Sequence, residues 1–354
     1  MPELPEVETL VRDLRATVVG RMVTEARVAP DAQRLVQGMP VEVFTEGLRG
    51  RQIKRVERRG KFVLIGLSPQ KVAKGPSAST PLPPSLSPPR SPQDDKAYER
   101  SGPSGSPPRR ALPHSPRDDG TVDTWWVAHR RMSGNFLLRP QDALDEPFIR
   151  ARFRLDDGNE LRFVDLRKFG TMTLVDDPEP LLTDLGPEPL DAAFTDEVLA
   201  ATLKKRNIAV KSVLLDQGAI AGIGNLYADE ALHYARIHPL RIASKLKKDE
   251  VAALREGIVR ALEQGLRNCG SSVGHVVDGE EVSLRDHVNL NGQSGKNQEY
   301  LVAYGREGRP CRDCGTAIER LKIGNRSAHY CPTCQKRGRA RATGVKRTAV
   351  KRKR

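Results

Sequence analysis

The sequence predicts a multidomain α+β protein: an N-terminal helix with a β-sandwich or barrel, then a helical domain, then a small four-cysteine zinc finger. Three observations lead to this fold class. Strand-like runs dominate the first half of the chain, helical periodicity dominates from about residue 189, and paired cysteines follow near the C-terminus. A chain of 354 residues is long enough for several domains, each with its own hydrophobic core.

The first half of the chain predicts one helix followed by short strands. Apolar residues recur at helical spacing from Val7 to Val18, which indicates an amphipathic helix over about residues 3–18. Alternating or apolar runs, separated by Gly and Asp-Gly turns, then indicate strands. These runs cover residues 22–28, 52–56, 61–67, 124–127, 136–138, 148–155, 160–164 and 171–175. We therefore expect a sandwich domain over residues 1–188.

Residues 69–122 interrupt this strand pattern. They contain half of the chain's 26 prolines, many serines and few large apolar side chains. Such a segment buries too little surface to offset the entropy of ordering, so we expect a disordered insertion in a strand–strand connection. A linker between two domains is the alternative, although the strand pattern resumes beyond the segment without a new starting motif.

The second half of the chain predicts helices and then a metal-binding module. The expected helices are 196–205 with Thr195 or Asp196 as the cap, 207–215 capped by Asn207, a run to about residue 235 capped by Asn225, and 247–268. The expected domain boundaries are 189–295 for the helical domain, 296–338 for the zinc finger and 339–354 for a disordered basic tail.

The composition favours a polyanionic partner. The net charge is +14 with a pI near 9.7, and residues 335–354 hold ten Lys or Arg and no acidic residue. We expect this tail to add salt-sensitive, sequence-independent affinity for a phosphate backbone. No apolar run is long enough for a membrane span, and the N-terminus lacks the apolar core of a signal peptide. The sequence therefore predicts an intracellular, cytoplasmic protein without a membrane partner.

Four of the five cysteines form one metal-like cluster. Cys311-x2-Cys314 and Cys331-x2-Cys334 are separated by sixteen residues, which is the spacing of a four-thiolate zinc site. We expect these four to bind one structural Zn²⁺ with a hairpin between the two pairs, and we expect Cys269 to stand alone, without a disulfide framework. The tip of the hairpin carries Lys322, Asn325 and Arg326 beside Gly324.

The start of the chain, Met-Pro-Glu-Leu-Pro-Glu, offers a nucleophile beside two carboxyl groups. Pro2 is small enough for Met1 to be removed, which leaves a secondary amine with a pKa of roughly 8. Such an amine can attack an aldehyde-like carbon and form an iminium. Glu3 is the first carboxyl after it, and Glu6 lies one helical turn further on the same face. The alternative is that Pro and acidic residues simply favour the first turn of a helix.

Three further features allow contact with nucleic acid, and each has a structural alternative. The Gly-Ile-Gly-Asn run at 222–225 can bring a phosphate to backbone N–H groups at a helix start, or it can merely cap the helix. Lys211, one helix earlier, can face the same phosphate or remain solvated. Arg167 and Phe169 point the same way at a strand-to-turn junction and suit an intercalating wedge, although Phe169 and Met132 are core residues by default.

Taken together, these motifs resemble those of the formamidopyrimidine-DNA glycosylase family, which also contains endonuclease VIII. The resemblance covers nearly the whole chain except the 69–122 insertion and the basic tail. The matching motifs lie, in order, at 1–8, 58–62, 129–134, 165–170, 185–190 and 222–230 and in the zinc finger with Arg326. Seven motifs in this order make a chance match implausible.

The resemblance implies a bifunctional enzyme of base excision repair. This enzyme would be a DNA glycosylase and AP (apurinic or apyrimidinic site) lyase that removes 8-oxoguanine and formamidopyrimidines by Schiff-base chemistry and β,δ-elimination. The implied catalytic residues are Pro2 as the nucleophile at C1′, Glu3 as the proton donor, Lys61 for DNA contact and β-elimination, and Arg326 for phosphate binding and δ-elimination. The matching supporting carboxylates are Glu6 and Glu230.

The resemblance also implies double-stranded DNA with oxidised bases or abasic sites as the partner of a bacterial, monomeric protein with a helix–two-turn–helix domain. The implied DNA-binding residues are Met132, Arg167 and Phe169 in the gap left by a flipped nucleotide, and Arg150, Lys211 and Asn225 at phosphates. Arg150 stands where the family commonly has His. Segment 270–286 is longer than usual, and residues 296–297 replace an aromatic pair, in the part of the family that closes over the flipped base.

Two alternatives stay open. An endonuclease VIII-like enzyme would prefer oxidised pyrimidines, but Leu4 and the three gap-filling residues favour the purine enzyme. A non-catalytic zinc protein that binds damaged DNA would need neither Pro2 nor Glu3, so the presence of both argues against it.

Overall fold

The computed structural model describes residues 2–70, 121–272, 274–277, 280–285 and 287–337. Most of the expected insertion over 69–122 and all of the expected tail over 339–354 lie outside these residues. The chain divides into two compact units, Met1–Leu185 with Gly265–Glu299, and Gly186–Gln264 with Tyr300–Arg354. Among the described residues, no helix combines the length and the apolar character that crossing a membrane requires.

The first unit contains the expected sandwich of two four-stranded antiparallel sheets. Its strands are β1 (Val23–Val28), β2 (Ile53–Arg59), β3 (Phe62–Leu67), β4 (Thr124–His129), β5 (Asn135–Pro140), β6 (Ile149–Leu155), β7 (Asn159–Val164) and β8 (Thr171–Val175). The strand orders are β1-β6-β7-β5 and β2-β3-β4-β8. Inward side chains of both sheets share one core, in which the Trp126 ring lies 4.3 Å from Phe153 and 6.0 Å from Phe136, centroid to centroid. All eight predicted strands are confirmed.

Helices dominate the second unit. Numbered along the whole chain, the helices of the first unit are α1 (Leu4–Thr17), α2 (Val41–Leu48) and α3 (Glu179–Leu182), and those of the second are α4 (Asp196–Lys204), α5 (Val210–Leu215) and α6 (Asn225–Tyr234). Helix α7 (Lys248–Arg267) begins in the second unit and ends in the first. Two hairpins complete the fold: β9 (Gly274–Val277) with β10 (Glu280–Arg285) in the first unit, and β11 (Glu319–Ile323) with β12 (Arg326–Tyr330) in the second. The mixed fold class with a helical region and a two-stranded zinc finger is confirmed.

Helix α1 is fixed by its apolar face. Val7, Leu10, Val11 and Leu14 are fully buried in the sandwich core. Complete burial of one such side chain contributes about 1.5–3 kcal/mol, so the helix cannot roll on the sheets without losing several of these contacts. The first turn of α1, and the residues just before it, therefore hold a defined position at the edge of the core.

Two predicted helix caps in the second unit are wrong. Helix α5 begins at Val210 rather than near Asn207, because Ala209 is extended and bridges to Ile242 while the Val210 N–H donates to Arg241 O. The N-cap of α6 is Gly224, whose backbone is extended, and Asn225 is the first helical residue. The predicted Thr195 cap of α4 is confirmed, since its side chain accepts the Val198 N–H at 3.4 Å.

The outer face of the β1-β6-β7-β5 sheet carries an ion-pair network centred on Glu160, and this network predicts a large stability effect. Glu160 is 1 % exposed and lies 2.8 Å from Arg152 Nη1 and from Arg162 Nε. Glu160→Gln should lower the free energy of unfolding by about 3 kcal/mol, the low end for a broken buried ion pair, because both arginines lose their shared buried carboxylate while Arg162 keeps Glu146 and Arg152 keeps Asp145. Urea unfolding tests this. Asp145→Asn, an exposed partner of Arg152, is the control and should change stability little.

Candidate active site and DNA-binding surfaces

Pro2 and Glu3 lie at the start of α1, and Glu6 holds them there. Pro2 is buried, and Glu3 is 3 % exposed and caps the helix. Glu6 Oε2 accepts the Glu3 N–H at 2.9 Å, while Glu6 Oε1 accepts the Ser271 N–H at 2.8 Å. The Glu6 carboxylate therefore fixes the backbone that carries Pro2 to the segment that follows α7. The structure brings together three of the predicted site residues.

Gly270 makes the hydrogen bond between Ser271 and Glu6 possible. It was not among the site residues predicted from the sequence. Its φ is +80°, and a Cβ at this position would lie 2.8 Å from Glu6 Cγ and 2.9 Å from His287 Cδ2. Cys269 before it also has a positive φ, of 55°. Two consecutive left-handed residues aim the Ser271 N–H at Glu6. The only signal in the sequence is the glycine that follows the isolated Cys269. Its contact with Glu6 could not be inferred, because the two residues are far apart in the chain.

A buried arginine and histidine lie beside the same turn. Arg130 and His287 are each 1 % exposed, and the Arg130 guanidinium donates to Glu6 O at 3.2 Å and contacts His287 Nδ1 at 3.3 Å. Burial, together with the positive charge of Arg130, lowers the pKa of His287 to about 3. Sequence reasoning missed both residues, because neither belongs to a local motif with recognisable chemistry.

The three gap-filling candidates lie on neighbouring loops of the first unit. Arg167 Nη1 approaches Met132 Sδ at 3.6 Å, and Phe169 is 55 % exposed. The Asp165 carboxylate ties the loops together, since it accepts the Ser133 hydroxyl at 2.5 Å and the Gly170 N–H at 2.8 Å. Exposing the apolar Phe169 ring to water is costly and leaves the ring available to stack. The alternative that Phe169 is a core residue is therefore wrong.

Phe169 supports a test that separates DNA chemistry from folding. Phe169→Ala should lower kcat/KM on a damaged duplex by about 10- to 100-fold, because a stacked aromatic ring is worth roughly 1–3 kcal/mol when a base leaves the helix. The melting temperature should change little, since more than half of the Phe169 surface is already exposed. Leu144→Ala is the matched control, because Leu144 is an apolar residue that is 93 % exposed and lies outside the loops that carry Met132, Arg167 and Phe169.

Lys61 and Arg150 are more enclosed than surface DNA contacts usually are. Lys61 follows Gly60, whose φ is +56°, in the β2–β3 turn and is 7 % exposed. Arg150 is 8 % exposed, and it donates to Asp31 Oδ2 at 2.8 Å and to Asp165 O at 2.9 Å. A phosphate contact by Arg150 would therefore compete with Asp31, whose pKa is lowered by its hydrogen bond from Lys168.

In the second unit, Lys211 is part of a buried polar cluster rather than a solvated side chain. Lys211 Nζ lies 2.5 Å from Asp229 Oδ1 and 2.6 Å from Ser327 O, and neither Lys211 nor Asp229 is exposed. Asp229 Oδ2 also accepts the His329 N–H at 2.9 Å. These bonds tie α5 and α6 to β12, the strand that begins at Arg326. The structure thus brings Lys211 next to the hairpin strand of the predicted phosphate-binding arginine.

Asn225 and the preceding turn are held by Gln217, which sequence reasoning did not select. Gln217 Oε1 accepts the Gly222 N–H at 3.0 Å, and its Nε2 donates to Ile223 O at 2.7 Å. Gly222 has a φ of +86°, which the turn requires. Asn225 Oδ1 is buried and finds no donor among the described residues. The start of α6 therefore presents N–H groups from a rigid turn, an arrangement that suits an anion.

Glu230 lies on α6 in a pocket of backbone donors. Its carboxylate accepts the N–H groups of Val302, Ala303 and Tyr304 at 2.8–2.9 Å. Burial raises the pKa of Glu230 to about 7, and the three amide bonds oppose this by favouring the charged form. Within the second unit, Glu230 fixes the chain that leads into the first cysteine pair.

The four cysteines form one cluster with the donors that zinc prefers. The sulfur atoms of Cys311, Cys314, Cys331 and Cys334 all lie within 4.8 Å of one another, and thiolates around a tetrahedral ion have this kind of spacing. His233 Nε2 on α6 lies 3.4 Å from Cys311 Sγ, as an outer partner of a metal-bound sulfur would. The β11–β12 hairpin joins the two pairs, as predicted, and its turn places Arg326 opposite Ile323.

Comparisons with known proteins agree with these motifs. Residues 1–172 match the family model described as the formamidopyrimidine-DNA glycosylase N-terminal domain, residues 185–276 match that of its H2TH (helix–two-turn–helix) domain, and residues 308–337 match the zinc finger found in FPG and IleRS. The formamidopyrimidine-DNA glycosylases of Desulforamulus reducens and a Roseiflexus species are 36 % and 39 % identical to the chain. Each alignment covers 95 % of this chain and, respectively, 99 % and 100 % of the relative.

Solved structures show the same likeness. A Lactococcus lactis Fpg complex with DNA containing an abasic site matches with a TM-score of 0.71 at 26 % identity and covers 95 % of this chain and all of that one. The MutM (FPG) protein of Thermus thermophilus matches with a TM-score of 0.69 at 32 % identity, covering 96 % of this chain and all of that one. The chain, with its one structural zinc site, therefore belongs to the formamidopyrimidine-DNA glycosylase family of DNA-repair glycosylases for oxidised bases.

Proposed function

We propose that the protein is a bifunctional DNA glycosylase and AP lyase that removes oxidised purines, 8-oxoguanine and formamidopyrimidines, from duplex DNA. The observation that carries this proposal is the anchored start of α1. Glu6 holds the Pro2–Glu3 backbone by a 2.9 Å bond and is itself held by Ser271. The Glu3–Glu6 capping box would stabilise the helix start in any protein, but the additional bond from Ser271 to Glu6 also fixes a potential amine nucleophile beside a carboxyl group, as covalent catalysis requires.

The proposed reaction begins with a flipped nucleotide. Base extrusion costs a few kcal/mol, and Met132, Arg167 and Phe169 would offset this by filling the vacated stack. After removal of Met1, the Pro2 nitrogen attacks C1′, the C1′–N bond to the base breaks, and the base leaves with a proton. Glu3 donates a proton to O4′ as the sugar ring opens, which gives an iminium between Pro2 and C1′.

Strand cleavage would then follow by elimination rather than by hydrolysis. The iminium withdraws electrons, so a C2′ proton is lost and the C3′–O bond breaks in β-elimination. Loss of a further proton breaks the C5′–O bond in δ-elimination, and water releases Pro2 from the sugar fragment. Lys61 is proposed to assist the β-elimination and Arg326 the δ-elimination. In each step the phosphate would leave as a stable anion. Zinc takes no part in these bonds and holds the shape of the hairpin that carries Arg326.

Phosphate binding is proposed for residues of both units. In the first unit Arg150 would exchange Asp31 for a phosphate, and in the second Asn225 would bind one at the start of α6. Lys211 would act together with the β12 strand that it contacts. Glu230 is proposed as a supporting carboxylate. The monomeric state and the cytoplasmic location predicted from the sequence belong to the same proposal.

A panel of duplexes tests the assignment. Each duplex carries one lesion opposite its normal partner: 8-oxoguanine, a formamidopyrimidine, an oxidised pyrimidine or an abasic site. The proposal predicts cleavage at the two purine lesions, with a phosphate on both ends of the gap as β,δ-elimination requires. Preference for the oxidised pyrimidine would instead assign an endonuclease VIII-like activity. Binding without cleavage of any duplex, with Met1 shown by mass to be absent, would leave a non-catalytic damage-binding protein.

A further inference from the structure

A buried polar cluster lies beside the start of α1 and has no part in the mechanism above. It consists of Arg130 and Asn135, which flank the β4–β5 turn, and of His287, which follows β10. All three are 1 % exposed. Burying a guanidinium group is costly unless each of its N–H groups finds an acceptor, so a cluster of this kind needs an explanation beyond packing.

The contacts of Arg130 define the protonation state of His287. Arg130 Nε donates to Gly134 O at 2.6 Å, its Nη1 donates to Glu6 O at 3.2 Å, and its Nη2 donates to the Asn135 side-chain oxygen. Both Nη atoms also lie 3.3–3.4 Å from His287 Nδ1. Arginine can only donate, so His287 Nδ1 must accept and its proton must sit on Nε2.

His287 transmits this contact to the turn after α7. Its Nε2–H donates to Cys269 O at 2.9 Å, and the next two residues, Gly270 and Ser271, lead directly to the Glu6 carboxylate. Glu6 is thus held twice, at its backbone oxygen by Arg130 and at its side chain by the turn that His287 supports. Since Glu6 in turn accepts the Glu3 N–H, the cluster is connected through two successive hydrogen bonds to the backbone that directly follows Pro2.

We propose that Arg130 and His287 are positioning residues for the Schiff-base reaction, which hold Glu6 and, through it, Pro2 and Glu3 in the geometry of attack on C1′. This inference rests on the proposed function. Both side chains are 1 % exposed, so the proposal assigns them no direct role in binding the DNA. Their effect is on the rate of covalent attack, which is sensitive to displacements of about 1 Å.

Two variants of His287 and a stability control test the proposal. His287→Leu removes both hydrogen bonds, whereas His287→Gln keeps one acceptor and one donor of similar reach. Leu161→Ala is the control for lost stability, because Leu161 is fully buried in the sandwich core. The measurements are the single-turnover rate of borohydride-trapped adduct on an 8-oxoguanine duplex, the Kd for a duplex with a tetrahydrofuran abasic analogue, and the melting temperature.

We expect His287→Leu to slow adduct formation by about 10- to 100-fold with an unchanged Kd, and His287→Gln to recover most of the rate. Leu161→Ala should lower the melting temperature without slowing the attack. Should His287→Leu fail to fold, Arg130→Lys replaces it, because lysine keeps the charge but cannot reach Glu6 O and His287 together; it should also slow the attack.

The outcomes separate this inference from the proposed function. A wild-type rate of adduct formation in His287→Leu or Arg130→Lys would overturn the positioning role. The role would also be overturned if His287→Leu and His287→Gln slowed the attack equally and if the rates of both, like that of Leu161→Ala, fell in step with the melting temperature. Failure of the unmodified protein to form any adduct would overturn the proposed function itself, whatever the variants do.

Discussion

Replacing Glu3 by glutamine should slow base removal from an 8-oxoguanine duplex by about 10²- to 10⁴-fold, the usual worth of a positioned general acid. The Glu3 side chain lies at the start of α1, next to Pro2, and is 3 % exposed, so its carboxyl group is held beside the proposed nucleophile. Glutamine retains the size and the capping oxygen but has no proton to give. The measurement is single-turnover release of the base with enzyme in excess.

The same variant on abasic DNA supplies an internal comparison. An abasic sugar has no base to lose and opens to its aldehyde without a proton donor from the protein, so Glu3→Gln should lose much less of its strand cleavage there than on the 8-oxoguanine duplex. Glu8→Gln is the matched control, because Glu8 lies on the same helix and pairs with the exposed Arg12 and the largely buried Arg58. Equal losses on both substrates, or a comparable loss in Glu8→Gln, would show that Glu3 is not the proton donor.

Removing the zinc should abolish high-affinity DNA binding while leaving the sandwich folded. A two-stranded hairpin such as β11–β12 is barely stable alone, and structural zinc supplies an apparent 10–16 kcal/mol in small finger peptides. Cys331 is fully buried in the cluster, so Cys331→Ser should release zinc to a chromophoric chelator. Arg326 lies on this hairpin, and the phosphate contact proposed for it should be lost when the hairpin opens.

The lone cysteine provides the control for this experiment. Cys269 lies outside the metal cluster, so Cys269→Ser should retain one zinc per chain and the DNA affinity of the unmodified protein. Circular dichroism should show the β-sandwich in both variants. Full DNA affinity in zinc-free Cys331→Ser would contradict a structural role for the ion in DNA binding.

Local patterns predicted the elements well and the helix starts less well. The eight sandwich strands follow from alternation and Gly turns, and the zinc ligands follow from two CxxC pairs, because each signal lies within a few residues. Asn207 and Asn225 were assigned as caps from their side chains alone. Because Ala209 pairs with Ile242, α5 begins only at Val210, and the extended Gly224 is the N-cap of α6. Neither feature can be read from the neighbouring residues in the sequence.

The supporting contacts of the candidate site could not be predicted for the same reason. Glu6 and Ser271 are 265 residues apart, and Arg130 and His287 are 157 apart. Their meeting depends on the packing of residues 265–299 within the first unit, which no local stretch of sequence reveals. The N-terminal motif identified the reacting groups, but only the structure identified what holds them.

Borohydride trapping on a duplex with one 8-oxoguanine opposite cytosine tests the central claim, which is covalent catalysis by the Pro2 amine. The unmodified protein, with Met1 shown by mass to be removed, should form a lesion-dependent adduct that peptide mapping places at Pro2. Pro2→Gly should reduce the adduct greatly, because a primary amine on a flexible residue replaces a constrained secondary one. An adduct mapped to a lysine, or one that persists unchanged in Pro2→Gly, would contradict the account.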